Sequence, residues 1–239
     1  MSDSQLEARR SPEGLLYVGL SLLIASIAVA GFAPLGIRQL LNHDLPKDAV
    51  IHVHAAVYVI WLGLFFAQTV CAAMDKMIFH RRMGKFLVGY GVLMYVVGLA
   101  VTLNRFIKNV HSGDIALAEQ INFAPFTDMI AFPLLFGAAI YFVKQPEVHK
   151  RLMVVACTVL LYAAMVRIEF APISNHYSLF ILVWSSPLLV GIANDWIRRR
   201  SLHPAYSVGM LVLFVLSLRP HFSHSHLWIT ISGWLASMV

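Results

Sequence analysis

Seven stretches of this chain are apolar over enough residues to cross a lipid bilayer, and that property limits its fold more than any motif does. They run near residues 15–33, 53–73, 86–102, 124–143, 152–170, 179–193 and 205–218. A helix needs roughly 17 to 25 mostly apolar residues to cover about 30 Å of hydrocarbon, so the first five qualify outright and the last two with their flanks. In lipid the backbone must satisfy its own N–H and C=O groups, which makes stretches of this length helices. The expected fold is therefore all-α: a polytopic bundle of about seven transmembrane helices, forming one domain over residues 1–239. Hydrophobic residues make up 59% of the chain and charged residues only 13%, a balance foreign to water-soluble domains.

The net charge of +6 raises the question of nucleic acid. Its distribution answers against that partner. Twelve Lys and Arg fall in alternate loops: Arg9, Arg10, Lys76, Arg81, Arg82, Lys85, Lys144, Lys150, Arg151 and Arg198 to Arg200. Five fall in the opposite loops: Arg38, Lys47, Arg105, Lys108 and Arg219. Positive charge stays cytoplasmic, so the expected location is the cell inner membrane, with the N-terminus inside and the C-terminus periplasmic or extracellular. Arg9, Arg10 and the small residues Ala28-Val29-Ala30 also imitate a signal peptide, but the run is long for one, and a retained first helix is expected. Cys71 and Cys157 fall within spans and read as small buried residues.

Polar groups inside hydrocarbon are costly unless paired or hydrated, so they mark the places where function is sought. His54, Trp61 and Gln68 recur every seven residues along one stripe of the second span, while His52 points to roughly the opposite side. The stripe is either the lining of a polar cavity or an ordinary packing seam. Asp128, Arg167 and Glu169 stand near the outer ends of the fourth and fifth spans, at about the depth of His54, and His176 follows. An Asp128–Arg167 ion pair is the expected relief for two costly groups.

Two segments at the cytoplasmic side resemble each other: His80-Arg81-Arg82-Met83 and His149-Lys150-Arg151-Leu152. Each puts a histidine and two bases at the start of an inside-to-outside helix, as a duplicated hairpin would. The two histidines are expected to approach each other, as ligands of one haem whose propionates the arginines neutralise. Anchoring to anionic lipid headgroups explains the bases alone. His221, His224 and His226 lie close enough in sequence to suggest a copper or zinc site, or else a solvated loop. Leu227 to Val239, with Trp228 and Trp234, is too short to span and is expected at the interface or packed back on the bundle.

The pattern His52-x-His54, Trp61, Gln68 and His80-Arg81-Arg82-Met83-Gly84 resembles a family of uncharacterised bacterial inner-membrane proteins. The resemblance continues through Asp128, Pro146-Glu147-Val148-His149-Lys150-Arg151-Leu152-Met153 and His203-Pro204-Ala205, covering most of the chain. It implies a membrane location and no particular activity. More loosely, the histidine-bearing helices are similar to b-type cytochrome bundles, although the chain lacks four histidines at matched depths on four spans.

Three functional expectations follow. The first is a protein that binds haem b or copper through some of His54, His80, His149 and His176 and passes electrons, with a quinone or another membrane redox protein as partner. The second is a proton-coupled transporter or carrier working through His54, Asp128, Arg167 and Glu169, with Trp61 and Gln68 in the same cavity. The third is a non-catalytic assembly or sensor protein with a structural polar core.

Overall fold

A computed structural model describes residues 12–113 and 115–239, and the side chains of 13–113 and 121–239. Arg9 and Arg10 lie outside the described residues. Among the described residues there is no strand. The long helices are α1 (Pro12–Leu41), α2 (Ala49–Ala73), α3 (Met77–His111), α4 (Ile115–Tyr141), α5 (Pro146–Leu160), α8 (Tyr177–Arg199) and α9 (Pro204–Ser217). The short elements are α6 (Tyr162–Met165), α7 (Ala171–Asn175), α10 (Arg219–Phe222) and α11 (His226–Ala236).

Among the described residues, six segments are long and apolar enough to cross a membrane: Glu13–Leu41, Ala49–Ala73, Met77–His111, Ile121–Tyr141, Pro146–Met165 and Tyr177–Arg199. The outward surface agrees, since Val59 and Ile60 on α2, Val92 and Val96 on α3, Ile130 and Leu134 on α4 and Leu211 and Phe214 on α9 are all exposed. An apolar belt of that extent is stable only against lipid. This is an integral membrane protein. The seventh expected span, α9, has 14 residues and covers only about 21 Å. It nevertheless runs from one end of the bundle, where Tyr206 sits over Arg151, to the other, where Arg219 meets Asp128.

The centre is α5. Sixty-one per cent of its apolar window is buried inside the protein, against 17% for α2. Helices α1, α4, α8 and α9 pack around α5, while α2 and α3 bridge α1 and α4 from outside. The core is built from Leu20 and Ile24 of α1, Trp61 and Met94, Phe132, Val155 and Val159, Trp184 and Leu188, and Leu213. Proline interrupts α1, α4 and α8 at Pro34, Pro125, Pro133 and Pro187, which neighbouring helices make tolerable in a membrane bundle. Backbones meet closely at Gly31, where an added Cβ would stand 2.3 Å from the Ala164 carbonyl oxygen, so α6 rests on bare α1 backbone.

The fifth span departs from its expected limits. Its helix breaks at Leu161 and ends at Met165, leaving Arg167 on the connection beyond it. At the chain's end, α11 folds back, burying Trp228 edge-on against Phe123 at 5.1 Å and beside Phe126 at 5.6 Å, while Trp234 stays exposed.

Two buried arginine–aspartate layers as the candidate site

Each end of the bundle carries a buried ion pair. At the end bearing most of the Lys and Arg, here the basic end, Arg151 of α5 is fully buried and grips Asp195 of α8 with two bonds, Nη2 to Oδ1 at 2.6 Å and Nε to Oδ2 at 3.0 Å. Its Nη1 donates to the Glu147 carboxylate and to the Glu147 carbonyl, both at 2.8 Å. Glu13 of α1 and Glu147 also take Lys150, at 2.7 and 2.5 Å, and Arg199, at 3.0 and 2.6 Å. Three carboxylates and three cations thus balance. Tyr17 and Tyr206 supply ring faces to Lys150 and Arg151, at 5.2 and 5.6 Å. The sequence points to Arg151 as a headgroup anchor or a neutraliser of haem propionates, and it assigns no role to Glu13, Glu147 or Asp195. The legible signal was the four-residue spacing of Glu147 and Arg151, which puts them on one helical face.

At the far end, Asp128 of α4 accepts a hydrogen bond from Nη2 of Arg219, and both side chains are buried. The expected Asp128–Arg167 pair does not form. Because the helix stops at Met165, Arg167 turns back to donate to the Ala163 carbonyl and lies over the Phe32 ring at 4.8 Å. The end of α9 reaches Asp128 instead. The Arg219 guanidinium stands over the Tyr162 ring at 4.4 Å and near the Trp184 ring at 5.9 Å. Its Nε and Nη1 are buried without a hydrogen-bond partner among the described residues. Tyr58 and Tyr162 lie within electrostatic range of Asp128, and His54 within range of Arg167.

The other expected residues distribute as follows. The His54–Trp61–Gln68 stripe faces the bundle, as a packing seam against α3 and α4. The His54 ring lies tilted against Tyr58 at 4.1 Å, and its Nδ1 is buried without a partner among the described residues. Trp61 is wedged among Tyr90, Phe132 and Phe136. Glu169 is exposed and pairs with Arg38 at 2.7 Å. His176 is exposed at the start of α8, its Nδ1 donating to the Pro172 carbonyl at 3.2 Å. His221, His224 and His226 are exposed, and among the described residues no group of three His, Cys, Asp or Glu is placed to hold a metal ion.

His80 and His149 share one geometry. His80 Nδ1 donates to the Gln68 carbonyl at 3.2 Å, and His149 Nδ1 donates to the Ala139 carbonyl at 2.8 Å. Each ties the start of its helix to the end of the preceding one. Gln68 returns the contact, its Nε2 donating to the His80 carbonyl at 3.2 Å. A carbonyl only accepts, so Nδ1 carries the hydrogen and Nε2 holds the free lone pair. The two imidazoles lie within electrostatic range of each other at the basic end. Neighbouring His203 caps α9, its Nδ1 accepting from the Ala205 N–H at 3.2 Å. Burial, followed by the nearby Arg151 charge, holds the His203 imidazole below its ordinary pKa.

Two clefts open on the surface away from these layers. One, of about 390 Å³ at the basic end, is lined by Ala67, Cys71, Lys76, Phe79, Arg82 and Met83. The other, of about 300 Å³, lies between α3 and α4. The chain matches no family model. Neither a curated protein nor a solved structure matches it.

Proposed function

We propose that this integral membrane protein is a proton-coupled carrier for a small solute, closed at its two ends by the buried arginine–aspartate pairs. The supporting observation is that the pairs occupy opposite ends and join segments far apart in sequence, Asp128 to Arg219 and Arg151 to Asp195. A buried ion pair adds little net stability compared with apolar packing, yet each half alone is expensive. Such contacts suit surfaces that part and rejoin, because water or an ionic solute replaces the lost partner at whichever end opens. Asp128 is the coupling group. Once protonated it releases its charge hold on Arg219, which links opening of the far end to a proton.

The test uses purified protein in liposomes containing a pH-sensitive dye, with carboxylate, amine and neutral solutes added outside. A solute-dependent change of internal pH, lost in Asp128→Asn, is expected. No change with any solute class rejects the carrier. The basic end faces the cytoplasm in this reading. Reporter fusions at Arg200 and Val239 should therefore report opposite sides, and a shared side rejects the arrangement.

A second reading, electron transfer on haem b or copper with a quinone or membrane redox partner, is favoured by one specific observation. His80 and His149 both anchor Nδ1 on a carbonyl and keep Nε2 free, the state of an oriented axial ligand, and exposed Arg81 and Arg82 stand ready for propionates. A visible absorption band that reduction shifts and His149→Ala abolishes supports it. A colourless protein that moves solute rejects it.

A further inference from the structure

We infer that Arg219 is an oxyanion receptor: it exchanges Asp128 for the carboxylate or phosphate group of a ligand that carries an apolar body. This rests on the carrier reading for its role in transport and names the substrate class, while the binding step itself stands on the geometry of the far end.

Arg219 is 3% exposed and spends one Nη2 bond on Asp128, while Nε and Nη1 face protein with no acceptor among the described residues. A buried guanidinium with spare donors is unusual, because each unmet N–H retains the cost of its lost water. Its planar fork matches two oxygens of one carboxylate or phosphate group, which Asp128 supplies only in part. Around it the walls are flat and apolar: Tyr162, Trp184 and, behind them, Phe180, whose ring stands 5.4 Å from that of Tyr162. Charge in this half of the protein favours an anion as well. Lys108 is committed to Asp48 and Arg38 to Glu169, but Arg167 is half-buried with no carboxylate partner among the described residues, and Arg105 lies within its electrostatic range.

The junction of α9 and α10 is the place where the site would open. Arg219 follows the end of α9 at Ser217, whose carbonyl is held by the Tyr177 hydroxyl, and α10 is a single turn. A small shift of that turn frees Arg219 from Asp128 at the cost of the Tyr177–Ser217 bond to α8, and it leaves the basic-end network at the other end of the bundle in place. Asp128 therefore competes with the ligand for the same donors.

The experiment is thermal unfolding in neutral detergent, read by tryptophan fluorescence, with benzoate, inorganic phosphate or phosphatidylglycerol micelles against chloride at equal ionic strength. Benzoate should raise the wild-type Tm by about 5 °C at roughly a hundredfold excess over Kd. Asp128→Asn, which removes the competitor, should bind benzoate at least about tenfold more tightly and recover thermal stability in its presence. Arg219→Lys should lose most of the shift, and the double variant Asp128→Asn with Arg219→Met, which buries no lone charge, should show none. A response to phosphatidylglycerol alone supports the oxyanion site and assigns it to a lipid headgroup. No shift above chloride in wild type and Asp128→Asn overturns the proposal, as does an undiminished shift in Arg219→Lys. Binding without solute flux in liposomes removes the carrier and leaves the receptor.

Discussion

Asp128 and Arg219 lie 91 residues apart, on α4 and at the start of α10, and bury their charges against each other with Tyr162 beneath the guanidinium at 4.4 Å. The contact ties the last part of the chain to α4 at the far end of the bundle. Because both groups lie out of water, neither is tolerable alone.

Asp128→Ala should therefore destabilise the protein by about 3 to 5 kcal/mol, whereas replacing Asp128 and Arg219 together by leucine and methionine should cost little. Denaturation in detergent measures both. A carrier recovers folding in the double variant and stays inactive. Equal tolerance of both single variants would show that water reaches this layer.

The basic end should behave differently. Asp195→Ala should also cost about 3 to 5 kcal/mol, because fully buried Arg151 loses its two-bond partner. Here the double change of Arg151 and Asp195 to apolar residues should leave a residual loss, since Glu147 also depends on Arg151. Full recovery of stability would show that Lys150 and Arg199 neutralise that network unaided.

His149→Ala removes the bond that clasps α5 to the end of α4, and a loss of about 1 kcal/mol is expected. His80→Ala should cost a similar amount. His149→Gln, which keeps a donor, should restore part of the loss if the histidine is only a clasp, and restore no cofactor absorbance if it is an axial ligand. Stability measured beside the visible spectrum separates the two roles.

Gly31→Val places side-chain atoms against the Ala164 backbone, which has no flexible end to move aside. A cost of at least about 2 to 3 kcal/mol is expected, with α6 displaced from α1. Gly19→Ala is the control, because its Cβ meets open space. Similar melting of the two variants would show that α6 yields freely.

Acidification should loosen the start of α9. The His203 pKa is lower in the folded protein than in the unfolded chain, so the unfolded chain binds the proton first as pH falls. The cap's contribution is complete above the unfolded value of about 6.5 and declines as pH drops through the folded one. His203→Asn keeps a capping oxygen that does not titrate in this range. The Tm of the wild type should fall more between pH 7.5 and pH 5 than that of His203→Asn, and parallel profiles would exclude this histidine as the cause.

Hydrophobicity, a local property summed along the chain, made the membrane class, the helical fold and the position of most spans legible in the sequence, because a continuous apolar run of this length satisfies its own backbone in lipid only as a helix. The same local logic flagged Asp128, since a carboxylate in an apolar run is conspicuous whatever surrounds it. Pairing is not local. Which cation Asp128 meets depends on where α5 and α6 stop and how α9 is rotated against α4, and a helix end five residues short of expectation sent Arg167 to Phe32 and left Asp128 to Arg219. Burial of Arg151 was decided in the same way: its position beside a run of bases suggests the headgroups, but α5 is surrounded by α1, α4, α8 and α9, so a side chain near its start faces protein on every side. The repeated histidines were visible as a pattern, while their bonds to the Gln68 and Ala139 carbonyls exist only because two antiparallel hairpins bring a helix start against the end of the helix before it.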